Sequence, residues 1–165
     1  MSIQKTTILG FDPGIADTGF GIIEKIGNKI KFVDTGSIQT SKEKDFCDRL
    51  EEIYEAVDKI IKKHKPDIVG VEKLFFAKNV KTAMDVAQAR GVIMLGIKKN
   101  KIKPLEFTPM QIKQAVAASG AANKKQVGLM VKTILNLNAV PKPDDAADAL
   151  AVAITSSFYN KKLVS

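Results

Sequence analysis

The sequence contains few of the features that mark secreted or membrane proteins. It has one cysteine, Cys47, in 165 residues, which excludes an internal disulfide framework and a zinc site built from several cysteines. A single cysteine fits a reducing compartment, so we expect a cytoplasmic protein. No apolar run approaches the roughly 18 residues that a membrane-spanning helix needs. The amino-terminal segment reaches Asp12 before the apolar core of a signal peptide could form, so we expect neither a signal peptide nor a membrane partner.

The composition is that of one folded domain. Apolar residues make up 45% of the chain and charged residues 27%, which excludes a largely disordered protein. A domain of this size buries roughly 68–70% of the surface that its unfolded chain exposes, enough for a proper core. No repeat, low-complexity tract or linker divides the chain, and we expect residues 1–165 to form a single domain.

Positive charge is in excess and is unevenly distributed. The net charge is +8. Residues 86–143 contain ten basic residues and one acidic residue, a net charge of +9, whereas the rest of the chain carries −1. Such a concentration of positive charge indicates a polyanionic partner such as nucleic acid, with a lysine-rich solvated surface as the open alternative.

Hydrophobic periodicity predicts three strands followed by alternating helices and strands. Strands are predicted at 5–12, 17–26 and 29–39, with a hairpin turn at Gly27-Asn28. The elements predicted after them are a helix over 44–64, a strand over 67–72, a helix over 79–99 capped by Asn79, a strand over 102–107, helices beginning at Thr108-Pro109 and at Asn123, and a last helix over 143–158. This order predicts an α/β fold with a mixed five-stranded sheet flanked by helices.

Four acidic side chains lie in apolar surroundings. Asp12 ends the first predicted strand and Glu72 the fourth, while Asp145 and Asp148 share one face of the last helix. Singly, each has an ordinary explanation, such as ending a strand or stabilising a helix N-terminus. Acids that converge raise one another's pKa, and a hard divalent cation with oxygen ligands removes that cost. Together with the basic stretch at 86–143, these four acids indicate metal-assisted phosphodiester cleavage with two ions about 3.5–4 Å apart.

Three segments resemble the RuvC family of bacterial Holliday-junction resolvases. They are ILGFDPGIADTGFGII, GVEKLFFAKNVKTAMDVAQARGV and DDAADALAVAI, in that order, and the similarity extends over about residues 6–155. The resemblance implies a ribonuclease H-like fold and a homodimer whose two active sites nick opposed strands of a four-way DNA junction, in homologous recombination and DNA repair. It also implies Mg²⁺ or Mn²⁺ as cofactor, two ions per site, products with 5′-phosphate and 3′-hydroxyl ends, and cooperation with the RuvA–RuvB branch-migration complex.

The resemblance also assigns roles to individual residues. The catalytic, metal-binding acids of the family fall on Asp12, Glu72, Asp145 and Asp148. The family aromatic that inserts beside the junction bases falls on Phe75, and the two family basic residues near the scissile strand fall on Lys113 and Lys124. We expect further DNA contacts from Phe76, Lys78 and Lys125. An aromatic beside a catalytic acid can stack on an exposed base, worth about 1–3 kcal/mol. Lysines at the start of a helix lie where free backbone N–H groups favour phosphate.

Two positions depart from the family pattern. The doublet Asp144-Asp145 leaves open which residue is the third ligand, and we choose Asp145 because it keeps the Asp-Ala-Ala-Asp spacing. Lys73 follows Glu72 where many relatives carry a neutral glutamine, so it could neutralise Glu72 in part or contact phosphate.

Three other functions are compatible with parts of the sequence. The segment FDPG followed by TGFG resembles the phosphate-binding hairpin of actin-like phosphotransferases, but those proteins need two such domains and 165 residues cannot supply them. A non-catalytic junction-binding protein would have the same basic residues and no reason to retain the acids. A nuclease of the YqgF type is disfavoured by the stretch from Glu72 to Phe76 and by the Asp-Ala-Ala-Asp helix.

Overall fold

The order of helices and strands is the predicted one. A computed structural model of the chain describes residues 4–75 and 80–159. Its elements are β1 (Lys5–Asp12), β2 (Asp17–Ile26), β3 (Lys29–Gln39), α1 (Phe46–His64), β4 (Ile68–Glu72), α2 (Val80–Lys99), β5 (Leu105–Phe107), α3 (Pro109–Ala117), α4 (Lys124–Ile134) and α5 (Asp144–Ser157). The expected N-cap Asn79 lies outside the described residues.

The five strands form one mixed sheet, which confirms the predicted fold class. Their order is β3-β2-β1-β4-β5. The first three strands form an antiparallel meander, whereas β4 runs parallel to β1 and β5 runs parallel to β4. Phe11 is in register with Val71, so the carboxyl ends of β1 and β4 meet at one edge of the sheet.

Both faces of the sheet are covered by helices, because successive residues of a strand point to opposite sides. On one face, Ile8 and Ile23 pack into a core with residues of α3, α4 and α5. On the other face, Leu9 and Val69 pack against α1 and α2. All four of these strand side chains are fully buried. A sheet buried on both faces explains why β1 and β4 read as nearly continuous apolar runs.

Local chemistry explains most of the element boundaries. Thr108 and Asn123 each cap a helix through a reciprocal capping box, with Gln111 and Gln126 as partners. The fifth strand is shorter than predicted and begins at Leu105. Pro104 directly before it has no N–H for the ladder, and the segment ahead of it turns through Lys101 with φ of 62°.

Candidate active site

Helix α5 lies directly on β1 and β2 because glycines face it. A Cβ on Gly19 would lie 2.0 Å from the backbone carbonyl oxygen of Asp145, and a Cβ on Gly10 would lie 2.3 Å from that of Ala149. No larger residue fits at either position without moving the helix. The close packing brings the first turns of α5 to the carboxyl end of β1.

The four predicted acids meet where these elements join. Carboxylate oxygens of Asp12, Asp145 and Asp148 all lie within 4.8 Å of one another. Glu72, at the end of the neighbouring strand, lies close enough to Asp12 for the two carboxyl groups to interact. Asp12, Glu72 and Asp148 also line one cavity of about 210 Å³. The structure therefore brings together carboxylates from two strands and a helix that are far apart in the sequence.

The convergence of acids perturbs their protonation. Burial, followed by the negative charge of Glu72, raises the pKa of Asp12 from 3.8 to about 9. Burial also raises the pKa of Glu72 and that of Asp148. Half-buried carboxyl groups whose pKa values are raised together indicate a site where a bound cation would neutralise their negative charge.

The two residues of the Asp144-Asp145 doublet have different surroundings. Asp144 is 55% exposed and pairs with Lys142 at 2.8 Å and with Lys124 at 3.8 Å. The hydrogen bond from Lys142 lowers the pKa of Asp144. Asp145, in contrast, faces Asp12 and Asp148. The structure therefore brings Asp145 into the acid cluster and leaves Asp144 at its rim.

The donor set fits a hard divalent cation. Asp12, Asp145 and Asp148 each offer a carboxylate oxygen, and Mg²⁺ is usually held by one or two carboxylates together with waters and substrate phosphates. Cys47 is exposed on α1, and the pair formed by His64 and Asp34 joins α1 to β3 rather than to the acids. The cluster could thus hold a metal ion through oxygen atoms.

Two of the predicted basic residues reach the acids. Lys113 and Lys124 line the same cavity as Asp12, and Lys124 Nζ lies 3.0 Å from Asp148 Oδ2. Although burial opposes it, the hydrogen bond to Asp148 raises the pKa of Lys124, so this side chain stays charged. Lys125 is exposed at the start of α4 and does not line that cavity.

The basic stretch of the sequence does not form one surface. Lys98 and Lys99 end α2, and Lys101 and Lys103 follow them on the way to β5. The strands β4 and β5 are parallel, so this part of the chain lies at the amino ends of the strands. Glu72 marks the opposite end. Four of the ten basic residues of this stretch therefore lie at the end of the sheet opposite the acid cluster.

The aromatic residue predicted to contact DNA lies beside the acids. Phe75 is 63% exposed and lines a second cavity of about 220 Å³ together with Asp12, Glu72 and Arg90. An exposed aromatic ring at this place is available to a base. Phe76 and Lys78, two other predicted contacts, lie outside the described residues.

Sequence reasoning missed two residues that fix the site. The fully buried Thr18 donates its hydroxyl to the carbonyl of Gly14 at 2.6 Å and closes the loop that follows Asp12. Thr18 and Gly19 thus stabilise the loop after Asp12 and the contact with α5, a role different from that of a phosphate-binding hairpin. Arg90, which counted only as one charge of the basic stretch, donates to the backbone carbonyl of Glu72.

The chain is similar to RuvC proteins in sequence. The family model described as "Crossover junction endodeoxyribonuclease RuvC" matches residues 8–156. The chain is 55% identical over 147 residues to the protein of that name from Halothermothrix orenii, with 89% of each chain covered. It is 52% identical over 154 residues to the one from Clostridioides difficile, covering 93% of this chain and 91% of that protein.

The fold is similar to solved resolvase structures. A structure of T. thermophilus RuvC in complex with Holliday junction substrate aligns with a TM-score of 0.88 and 34% identity, over 93% of this chain and 94% of that one. The yeast mitochondrial Holliday junction resolvase Ydc2 shares the fold, with a TM-score of 0.63 and 14% identity over 90% of this chain and 77% of that one. These matches confirm the predicted ribonuclease H-like architecture and set aside the actin-like and YqgF-type alternatives. The chain belongs to the RuvC family of crossover junction endodeoxyribonucleases.

Proposed function

We propose that this chain resolves Holliday junctions by paired, metal-dependent nicks on opposed DNA strands. The observation that carries the proposal is the meeting of acids from β1, β4 and α5 in a cavity that two lysines also line. Membership of the RuvC family supports the four-way junction as substrate, as does the likeness to a RuvC solved with that substrate. Residues 1–165 would act as a single nuclease domain and leave 5′-phosphate and 3′-hydroxyl ends.

The acid cluster would hold the metal cofactor. We assign Asp12, Glu72, Asp145 and Asp148 as ligands for two Mg²⁺ ions, with Mn²⁺ as an alternative. Such ions, when bound, lower the pKa of an attacking water and stabilise charge on the leaving oxygen. Asp12 interacts with Glu72 and with Asp145 and Asp148 of α5, so it would be the central ligand of this set.

The basic and aromatic side chains around the cluster would position the DNA. Lys113 and Lys124 carry positive charge into the cavity that the acids line, where they would contact the phosphates on either side of the scissile bond. Phe75 would stack on a base exposed at the junction. Phe76, Lys78 and Lys125 are proposed as further contacts.

A homodimer would supply the two active sites that paired nicks require. The outward side of α2 presents apolar side chains without cover among the described residues: Val80 is 68% exposed, Met84 59% and Leu95 55%. The inward side of the same helix is buried through Ala89 and Ile93. We propose the outward side of α2 as the dimer contact, because a second copy packed against it would remove these exposed apolar side chains from water.

The proposed partner in the cell is the RuvA–RuvB branch-migration complex, on the grounds of family membership, and the proposed location is the cytoplasm. Within residues 4–75 and 80–159, no helix combines the length and apolar character needed to cross a bilayer.

The test compares a synthetic four-way junction with a linear duplex of the same sequence, in Mg²⁺ and in EDTA. We expect symmetric nicks on the junction alone, only with Mg²⁺, and ends that a ligase reseals directly. Asp12→Asn is the matched variant, and it should lose cleavage while it keeps junction binding. Tight binding without nicks, in Mg²⁺ and Mn²⁺ and on several junction sequences, would instead identify a non-catalytic junction-binding protein. Cleavage by purified Asp12→Asn would refute the metal-ligand assignment.

A further inference from the structure

Arg90 of α2 connects the ends of the two strands beside the acid cluster. Its Nε donates to the backbone carbonyl of Glu72 at 3.0 Å. Its guanidinium also forms an ion pair with the carboxylate of Glu106 on β5, and the Arg90 side chain is only 20% exposed. A guanidinium carries several donors in one rigid plane, so a single arginine can hold both partners at a defined geometry.

The Glu72 carbonyl depends on such a donor because the neighbouring strand cannot supply one. Backbone groups of successive residues in a strand face alternate neighbours. Since the Lys73 N–H bonds to the carbonyl of Phe107 on β5 at 2.7 Å, the carbonyl of Glu72 faces β1. The residue that would donate to it from that side is Pro13, which has no N–H. The paired part of β1 and β4 accordingly ends at Phe11 and Val71.

We propose that Arg90 is a positioning residue that replaces this missing ladder bond and thereby directs the Glu72 carboxylate toward Asp12. The proposal rests on the proposed function, in which Glu72 is a metal ligand. A donor on the carbonyl fixes the backbone of the last residue of β4, and the direction of its side chain follows from that backbone. Partners that orient metal ligands in this way set the affinity of a site although they do not touch the metal.

Arg90 and Phe75 line the same cavity. A direct contact of Arg90 with DNA phosphate is therefore the alternative to the positioning role. The two roles predict different results for the same variant. A phosphate contact contributes to the salt dependence of DNA binding, whereas a bond to the Glu72 carbonyl contributes to metal affinity and to the order of the β4 end without DNA.

The experiment replaces Arg90 by Gln and by Lys and examines the protein without DNA. In EDTA, hydrogen exchange of the Lys73 amide should become about tenfold faster in Arg90→Gln, the change that corresponds to one lost hydrogen bond. The dissociation constant for Mn²⁺, measured by calorimetry, should rise about 10–100-fold. Arg90→Lys, which keeps a charged donor, should recover part of both effects. Lys59→Gln removes an exposed positive charge of α1 and should change neither.

A second measurement separates positioning from DNA contact. Junction binding in EDTA at several salt concentrations should keep the wild-type slope in Arg90→Gln. A slope shallower by about 0.9, together with unchanged Mn²⁺ affinity, would identify a phosphate contact and overturn the proposal. Glu106→Gln retains Arg90 and loses only the ion pair, so it should shift both DNA-free readouts in the same direction by less, and it stands in if Arg90→Gln does not fold.

The two proposals fail in different ways. If Asp12→Asn binds Mn²⁺ as tightly as the wild type, the proposed metal site is wrong, and exchange at Lys73 still decides whether Arg90 holds the strand end. If Asp12→Asn loses Mn²⁺ while Arg90→Gln binds it normally and its Lys73 amide exchanges at the wild-type rate, the metal site stands and the role of Arg90 is overturned.

Discussion

At the scale of single residues, the raised pKa of Asp12 predicts how the metal-free protein responds to pH. A carboxyl that titrates at about 9 in the fold and near 3.8 when unfolded binds more protons in the folded state between those pH values. The free energy of unfolding should therefore fall as the pH rises through this window. Burial raises the pKa of Glu72 and of Asp148 in the same sense.

We expect Asp12→Asn to flatten this dependence, since the amide has no proton to lose. The measurement is the melting temperature in EDTA across the range from about pH 4 to about pH 9. Asp144→Asn is the control, because the hydrogen bond from Lys142 lowers the pKa of that exposed carboxyl. Removal of the Asp144 carboxyl should therefore leave the decrease of stability with rising pH in place. Equal slopes for the wild type and Asp12→Asn would contradict the prediction.

The adjacent residues Asp144 and Asp145 provide a matched pair for the metal site. Asp145 lies in the acid cluster, whereas Asp144 is exposed and pairs with Lys142. Asp145→Asn should weaken Mn²⁺ binding more than about tenfold, and Asp144→Asn should leave it nearly unchanged. Calorimetric titration of both variants measures this difference. A larger loss in Asp144→Asn would transfer the ligand role to that residue.

At the scale of elements, the contact of α5 with the sheet controls where the acids lie. Gly19→Ala places a methyl group against the Asp145 carbonyl, 2.0 Å from where the Cβ would lie, and the helix must move. We expect a loss of about 1–3 kcal/mol in the free energy of unfolding, together with slower cleavage because Asp145 is displaced from Asp12.

The control at this scale is Lys59→Ala on α1, an exposed residue that belongs neither to the contact of α5 with the sheet nor to the proposed dimer contact. It removes only a surface side chain, so the free energy of unfolding should change by no more than about 0.5 kcal/mol. Urea unfolding of both variants gives the comparison. A Gly19→Ala protein as stable as the wild type would show that α5 is free to shift on the sheet.

At the scale of the whole molecule, the proposed dimer makes a prediction about the products. Leu95→Glu places two carboxylates in the proposed α2 contact, where like charges oppose each other at a cost of several kcal/mol. The variant should sediment as a monomer and should make single nicks in place of paired ones. Met110→Glu alters a residue of α3 that is 69% exposed and should leave the sedimentation unchanged. A dimeric Leu95→Glu protein would place the contact elsewhere.

Local patterns in the sequence determined the order of the elements and the chemistry of the acids. Helical periodicity, the capping pairs of Thr108 and Asn123, and Pro-Gly or Gly-Asn turns act over a few residues, so they can be read without knowing the fold. Asp12 and Glu72 were identifiable because each directly follows an apolar strand. The strand over 102–107 was predicted too long because the prediction followed its apolar residues. Pro104 and the turn at Lys101 prevent strand pairing before Leu105.

Only the tertiary structure decided which side chains meet, because contacts between distant segments depend on strand order and on how closely α5 packs. The parallel pairing of β1 with β4 placed Asp12 beside Glu72, and the glycines of β1 and β2 let α5 pack so closely that Asp145 lies in the acid cluster. The same topology placed four of the ten basic residues of residues 86–143 at the opposite end of the sheet. It also brought Arg90 to the carbonyl of Glu72, to which Pro13 cannot donate a hydrogen bond. The spacing of residues along the chain does not predict this contact.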